Sequence, residues 1–212
     1  MGWCYLLNGL LSPAVIVQYL LRAVVVLITI PFHESAHALA SHLLGDDTAV
    51  RAGRLSMNPL RHFDLMGALC MMLVGFGWAK PVPVNFNNLR DERKGLIFVS
   101  AAGITANIIL AFCSFLLLRF FVPSPFGVMS TVLFYFAQIN IMLASFNLIP
   151  IPPLDGSKIL MGFLSRRAQY SFERIEPYGM FIIIGLLYIG ALNPLIVFFR
   201  QGILSIIGIL LP

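Results

Sequence analysis

Charged residues are scarce in this chain. Lysine, arginine, aspartate and glutamate together make up 11% of the 212 residues, whereas hydrophobic residues make up 59%. Ordinary globular domains carry about a quarter charged residues and slightly less than half apolar ones. A water-soluble fold of this size could not bury so much apolar surface. The composition therefore excludes an ordinary soluble domain and indicates a protein of the lipid bilayer.

Other features that the chain lacks narrow its function further. No basic run is interleaved with aromatic residues, so the formal net charge of +5 indicates the basic cytoplasmic loops of a membrane protein and not nucleic-acid binding. The three cysteines, Cys4, Cys70 and Cys113, form no Cys-x-x-Cys pair and are interpreted as buried inert thiols. No internal repeat and no appended soluble domain is evident, so we expect a single transmembrane domain over residues 1–212.

Long apolar segments are the main positive feature, because about 20 helical residues cross a bilayer. The candidate spans are residues 14–44, 95–121 and 128–148, a marginal run at 65–78, and a final region at 178–211 that forms either one span plus an interfacial helix or a hairpin. The Pro123-Ser124-Pro125 turn should make the second and third of these antiparallel neighbours. We predict an all-α polytopic membrane protein with about five or six transmembrane helices.

The segments between the apolar runs are predicted to be loops. Residues 48–62 are expected to hold short strands or an interfacial loop, and Pro81 and Pro83 exclude helix and favour extended chain. A small extended or β region is therefore predicted between the first long helix and the core spans. Residues 90–94 and 166–176 are expected to be solvated polar loops, and Asp46 and Asp47 to be solvated residues just past a helix end.

Loop charges predict the orientation, since lysine and arginine are enriched on the cytoplasmic side. The basic residues before the 95–121 span and those after the 128–148 span fall on the same side of the membrane. The loop at 51–61 belongs there as well. The basic residues concerned are Arg51, Arg54, Arg61, Lys80, Arg90, Arg93, Lys94, Lys158, Arg166, Arg167 and Arg174. We expect a multi-pass protein of the cell membrane with this side in the cytoplasm.

The sharpest chemical signal is His33-Glu34-Ser35-Ala36-His37, an H-E-x-x-H motif within an apolar helix. Residues four apart share a helix face, so both imidazoles can reach one zinc ion, and the glutamate lies beside them to take a proton from water. Ionisable groups inside a membrane are costly and need partners. The alternative is a structural polar patch that forms hydrogen bonds with neighbouring helices.

A catalytic zinc site needs a third protein ligand and one open position. Histidine and glutamate are absent at the spacings known from soluble zinc proteases. Among the remaining acidic residues, Asp155 stands out, because it lies between Pro152-Pro153-Leu154 and Gly156, where an apolar span is broken. We favour Asp155 as the third ligand; the alternative is an N-cap of the helix that follows.

Four ordered motifs resemble the site-2 protease family of intramembrane metalloproteases, in its compact form without a PDZ or CBS domain. The H-E-x-x-H helix is followed by residues 77–84, similar to the family's G-x-x-x-P-V-P-V loop, and by residues 103–107, similar to its G-x-x-x-N. Residues 147–156 match its N-x-x-P-x-x-P-x-D-G segment. These core motifs extend over residues 31–156, and the C-terminal apolar segments at 178–211 follow them.

The resemblance implies an intramembrane zinc endopeptidase that cuts transmembrane segments of other membrane proteins. It implies one Zn²⁺ per chain, bound by His33, His37 and Asp155, with Glu34 activating water. Asn147 is implied to hold the substrate or the developing oxyanion; its alternative is an amide bonded to backbone across helices. From the loop charges we expect the site to lie nearer the cytoplasmic face.

Two other functions compete with this interpretation. A membrane transporter for metal ions would use the same ligands, although no second copy of the site and no inverted repeat is evident. A non-catalytic binding protein on a protease scaffold is the other candidate, and the intact Glu34 argues against it.

Overall fold

The computed structural model describes residues 13–67, 78–122 and 127–211, and its regular structure in these residues is helical. The helices are α1 (Pro13–Leu43), α2 (Thr48–Arg51), α3 (Glu92–Phe121), α4 (Val128–Asn147), α5 (Asp155–Phe163), α6 (Arg166–Tyr188) and α7 (Asn193–Leu210), with 3₁₀ turns at Pro59–Arg61 and Phe86–Asn88. The all-helical class predicted from the sequence is therefore confirmed for the described residues.

Four of the described helices are long and apolar enough to cross a membrane. These are residues Leu20–Leu43 of α1, then α3, α4 and α7. The larger number of about five or six spans is not confirmed. The Pro123-Ser124-Pro125 turn and most of the marginal 65–78 run lie outside the described residues, as do Cys4, Cys70 and Gly77 of the loop motif. The third cysteine, Cys113, is exposed on α3, so the prediction that it is buried is wrong.

The prediction of a polar loop at residues 166–176 is wrong. These residues form the first half of α6, because the Ser165 side chain caps the helix by accepting a hydrogen bond from the Ala168 N–H at 3.5 Å. The helix continues to Tyr188 and the chain turns at Gly190, whose φ of +72° suits a residue without a Cβ. The final apolar region thus contains the end of α6, which is not a candidate span, and α7, which is one.

The region between α1 and α3 contains no β-strand in its described residues. Residues 48–62 form the short helix α2 and a 3₁₀ turn, and residues 78–85 are irregular. The small β region is therefore not confirmed. Residues 90–94 are not one solvated loop either, because α3 begins at Glu92. Asp91 caps it by accepting a hydrogen bond from the Lys94 N–H at 3.1 Å.

Helix α3 lies at the centre of the bundle and packs against α1, α4 and α5, while α4 also packs against α7. Two buried clusters form the core, one where α3, α4 and α7 meet and one around the proline-rich segment before α5. Their members are Ile104, Ala111, Ala137, Ile141, Ala144, Ile203 and Ile207 in the first, and Ile149, Leu154, Ile183, Leu192 and Ile196 in the second.

Close backbone approaches position the segment that carries Asp155. A Cβ on Gly156 would lie 2.3 Å from the Leu148 carbonyl oxygen, and one on Gly179 would lie 2.0 Å from the Pro152 carbonyl oxygen. Real Cβ atoms do not approach so closely, so only glycine fits at either position. The start of α5 is thereby held between the end of α4 and the middle of α6.

Asp46 is buried and accepts several hydrogen bonds. The prediction that it is a solvated residue just past a helix end is therefore wrong. Asp46 is fully buried, and its carboxylate accepts hydrogen bonds from Thr48 N at 3.1 Å, Thr48 Oγ1 at 2.5 Å, Asn85 N at 2.8 Å and Asn88 Nδ2 at 2.9 Å. Burial alone would raise the pKa of Asp46, but the bonds from Thr48, Asn88 and Asn85 outweigh burial and lower it. Asp46 thus ties the end of α1 to the loop before α3.

Replacing Asp46 with alanine should destabilise the protein, because the buried N–H groups lose their acceptor. We expect a loss of about 2–4 kcal/mol, seen as a lower Tm in detergent. Asp47 is a matched control: its side chain is half exposed and its carboxylate lies 2.6 Å from the exposed His42 Nδ1. Asp47→Ala should change stability by about 0.5 kcal/mol or less. Equal Tm values for the two variants would contradict the role assigned to Asp46.

Candidate metal centre

Three side chains from two distant parts of the chain converge at one point. His33 Nε2 and His37 Nε2 are 3.0 Å apart, and each lies 3.3 Å from Asp155 Oδ2. All three residues can offer one ligand atom to a common metal ion. Tetrahedral zinc with bonds of about 2.0–2.1 Å places neighbouring ligand atoms about 3.3 Å apart. The observed triangle therefore has the dimensions of one face of such a site.

The hydrogen bonding around this triangle favours a cation at its centre. His37 Nδ1 lies 2.7 Å from the Val99 carbonyl oxygen, which can only accept, so Nδ1 carries the proton and Nε2 presents a lone pair. Asp155 Oδ2 is buried without a hydrogen-bond donor. His37 Nε2 and Asp155 Oδ2 are therefore both acceptors, and at 3.3 Å they repel each other unless positive charge lies between them. The donor set thus fits a metal ion, and two imidazoles with one carboxylate are ligands that zinc accepts.

Local structure explains how the three residues are presented. His33 and His37 are one turn apart on α1, and Asp155 is the first residue of α5. The residue at the N-cap position of α5 is Leu154, and no side chain caps that end. The structure therefore does not support the alternative that Asp155 is the N-cap of α5. Its carboxylate is directed at the two histidines.

Gly103 lets α3 approach the two imidazoles. A Cβ at this position would lie 2.4 Å from His37 Nε2 and 2.7 Å from His33 Cε1. No larger residue fits without displacing the nitrogen atoms of the triangle. The sequence motif contained Gly103, but only the structure shows that its missing side chain makes room for the ligands.

Glu34 lies on α1 between the two histidines and contacts the loop before α3. One oxygen of its carboxylate, Oε2, accepts a hydrogen bond from the Val82 N–H at 3.1 Å. Val82 is the only residue from Pro81 to Pro83 that has a backbone N–H, because proline has none. The stretch from Pro81 to Pro83 therefore offers a single backbone donor, and Glu34 accepts a hydrogen bond from it.

Arg54 and Asp46 hold this loop on both sides of Val82. Arg54 is 7% exposed, and its guanidinium donates to the carbonyl oxygens of Arg61 and Lys80 and to that of Pro81 at 2.8 Å. On the other side, Asp46 accepts the N–H of Asn85. Sequence reasoning assigned Arg54 only to a basic loop, and nothing local in the sequence signals that it is buried.

Three asparagines of the helical bundle, including the predicted site residue Asn147, lie outside the triangle. Asn147 is the last residue of α4, and its Nδ2 donates to the Leu143 carbonyl oxygen at 3.0 Å, so its role toward substrate stays a prediction. Asn140 donates to Thr29 Oγ1 at 3.1 Å. Asn107 is buried, and neither atom of its amide has a hydrogen-bond partner.

Two histidines that the sequence analysis did not place in the site also have other partners. His42 is exposed and lies 2.6 Å from Asp47 Oδ1. The Nε2 of His62 lies 2.8 Å from the Ser56 carbonyl oxygen, although His62 is almost fully buried. Neither belongs to the group that could hold a metal ion.

Comparisons with known proteins find similarity to one peptidase family and to proteins named as putative zinc metalloproteases. The family model of peptidase family M50 matches residues 122–190, which include Asp155 but not the H-E-x-x-H helix. The protein named "Putative zinc metalloprotease YwhC" of Bacillus subtilis is 37% identical over 188 residues, covering 85% of this chain and 84% of that protein. No solved structure matches the chain.

Two further relatives carry similar names. "Putative zinc metalloprotease Rip2" of Mycolicibacterium smegmatis is 28% identical over 79% of this chain and 66% of its own length. "Putative zinc metalloprotease MJ0611" of Methanocaldococcus jannaschii is 30% identical over 61% of this chain and 63% of its own length. Helices long and apolar enough to span a membrane, packed around three residues that could hold a metal ion, are typical of a membrane metalloprotease. Within that class, the chain belongs to peptidase family M50, the site-2 protease family.

Gly103→Ala should weaken metal binding, because the added methyl group displaces the imidazoles. We expect a loss of affinity of about tenfold or more, similar to that caused by disturbing residues around other metal sites. Alanine favours helix over glycine by about 1 kcal/mol, so lower helix propensity cannot cause the loss.

Gly185→Ala is the control, since a Cβ at that position of α6 meets nothing within 4 Å. The measurement is metal content after dialysis against a graded chelator. Equal metal retention by the two variants would show that Gly103 does not set the ligand geometry.

Proposed function

We propose that the protein is a zinc-dependent endopeptidase that hydrolyses peptide bonds within or beside transmembrane segments of other membrane proteins. The observation that carries this proposal is the convergence of His33, His37 and Asp155 inside a bundle of membrane-spanning helices, with Glu34 in the same helical turn. A single domain over residues 1–212 would contain the whole site, with core motifs at 31–156.

The metal would be one Zn²⁺ per chain, held by His33, His37 and Asp155. Bound there, zinc would lower the pKa of a water molecule to near neutral and would polarise a carbonyl group. The Glu34 carboxylate takes the proton from the attacking water and later gives it to the leaving amine. The Val82 N–H supports this role, because it fixes one carboxylate oxygen and so restricts the orientation of the other. Asn147 would donate a hydrogen bond to the carbonyl oxygen under attack.

Membrane proteins are the substrates that suit this location. A peptide bond inside an intact helix is shielded, since its carbonyl is bonded within the helix, so the substrate segment must unwind locally to be cut. The lipid bilayer is the other partner of the chain, and nucleic acid is not. The loop at residues 80–84 lies against Glu34 through Val82. It is therefore suitably placed to contact an unwound segment.

The site would lie within the membrane thickness but nearer the cytoplasmic face. His37 is six residues before the end of α1, which is about 9 Å along the helix. The basic residues Arg51, Arg54 and Arg61 follow that end, and Lys158 follows Asp155 closely. Both ligand segments thus approach the side where basic loops concentrate. Water then needs only a short polar path to the metal.

Two alternatives remain distinct from this proposal. A metal-ion transporter would place ligands along a pathway, but in the described residues His33, His37 and Asp155 form the one cluster that could hold a metal ion. A non-catalytic binding protein would not require a carboxylate at position 34. Both alternatives predict no hydrolysis, which separates them from the protease by experiment.

Glu34→Gln should keep zinc and lose cleavage. Glutamine still accepts the Val82 N–H, but it cannot take a proton, so we expect turnover of a model transmembrane substrate to fall by about a hundredfold or more. Zinc content of the purified variant, measured by metal analysis, should equal that of the wild type. Asp155→Ala is the contrasting variant and should lose zinc as well as cleavage. Near-normal turnover by Glu34→Gln would exclude Glu34 as the base.

Cysteine labelling can test the orientation. In a background without the native cysteines, Arg51→Cys and Arg167→Cys should react with a membrane-impermeant thiol reagent only from the cytoplasm. Both positions are exposed, whereas Arg54 is buried and unsuitable. Val128→Cys, at the exposed start of α4, is the control and should react only from the outside. Labelling of Arg51→Cys from the outside would overturn the proposed topology.

A further inference from the structure

An arginine lies in the middle of the last spanning helix, on the surface of the bundle. Arg200 is exposed, seven residues after Asn193 and ten before Leu210 in α7. Its Nη2 donates to Gln138 Oε1 of α4 at 2.9 Å. A glutamine side chain is neutral, so this contact leaves the charge of the guanidinium without compensation.

The contact with Gln138 fixes the depth of the guanidinium. Gln138 is ten residues after Val128 and nine before Asn147, so about 15 Å of helix separates it from either end of α4. Half of a hydrocarbon core is also about 15 Å thick. A guanidinium held at this level is near the middle of the bilayer and too deep to have snorkelled to the lipid headgroups.

The acidic side chains of this chain do not pair with Arg200. All nine aspartates and glutamates lie in the described residues, and none forms an ion pair with it. A second copy of the chain could not supply one either, because Glu34 and Asp155 are the acidic residues within the membrane-embedded core, and both belong to the metal site. Charged side chains within a membrane normally pair or face water.

The surroundings of Arg200 and Gln138 are apolar and open. Phe134 and Met142, one turn to either side of Gln138 on α4, are exposed, and so is Val197 next to Arg200 on α7. A helix with an apolar surface fits against such side chains, and its polar group would have to meet Arg200. The patch therefore has the character of an interface for another transmembrane helix.

We propose that the patch formed by Arg200, Gln138, Phe134, Met142 and Val197 binds a transmembrane helix of a different protein, one that carries an aspartate or glutamate midway across the bilayer. The carboxylate pairs with the Arg200 guanidinium, and the apolar faces pack on α4 and α7. Pairing of opposite charges in a medium of low dielectric constant provides the selectivity.

This patch is separate from the metal centre. Asn140 of α4 donates to Thr29 Oγ1 of α1, the helix that carries both histidines, and it is two residues from Gln138, about 200° around the helix. The two side chains therefore leave α4 on opposite faces. The bound helix is accordingly a regulatory or adaptor subunit and not the segment that is cleaved.

The test uses the full chain reconstituted in phosphatidylcholine vesicles and a synthetic helix of about 20 leucine and alanine residues, the length of one span. One version of the helix carries glutamate at its centre and another carries glutamine. Association is measured by energy transfer between labels on the protein and on the helix. We expect the glutamate helix to bind at least about tenfold more tightly than the glutamine helix, a difference of about 1.4 kcal/mol.

In Arg200→Leu the two helices should bind alike, and Arg200→Glu should prefer a helix with central lysine. Arg119→Leu is the matched control, because Arg119 lies in the last turn of α3, and it should keep the wild-type preference. Metal content of Arg200→Leu should be unchanged, which verifies folding. Equal binding of both helices to the wild type would overturn the proposal. So would loss of the preference on adding phosphatidylglycerol, since Arg200 would then pair with a lipid phosphate.

Discussion

The rest of this structure depends on two imidazole nitrogens and one carboxylate oxygen that meet inside an apolar bundle. His37 Nε2, His33 Nε2 and Asp155 Oδ2 form a triangle with edges of 3.0–3.3 Å, and the carboxylate oxygen has no donor. In a medium of low dielectric constant this arrangement is unfavourable without a cation. The close approach of α3 at Gly103 and the bond from His37 to Val99 both serve to maintain the triangle.

A second constraint concerns the loop between α1 and α3. The backbone N–H and C=O groups of this loop must form hydrogen bonds, because little water is available to them near the bilayer. Arg54 satisfies carbonyl oxygens on one side of Val82, and Asp46 satisfies N–H groups on the other. Val82 itself donates to Glu34. The residues that satisfy the loop thus also determine where the loop meets the metal centre.

The sequence alone predicts those features of the site that depend on residue spacing or on a break in an apolar segment. The i, i+4 spacing predicts that His33 and His37 share a helix face, and the break around Pro152 and Pro153 sets Asp155 apart from the other acidic residues. The sequence alone does not predict features that depend on hydrogen-bond partners far away in the chain. Asp46 resembles a solvated residue past a helix end, but its partners Asn85 and Asn88 lie 39 and 42 residues away. Residues 166–176 resemble a loop by polarity alone, although Ser165 caps a helix there.

The coupling between loop and metal centre has a consequence for how the proposed base is held. A carboxylate on a helix surface normally samples several rotamers, whereas one oxygen of Glu34 is bonded to a backbone N–H of the loop. That N–H cannot move freely, because Arg54 holds the preceding carbonyl of Pro81 and Asp46 holds the Asn85 N–H that follows. The orientation of the Glu34 carboxylate therefore depends on the hydrogen bonds that hold residues 46–85 together. An unwound substrate that displaced this loop would change the orientation of the base at the same time.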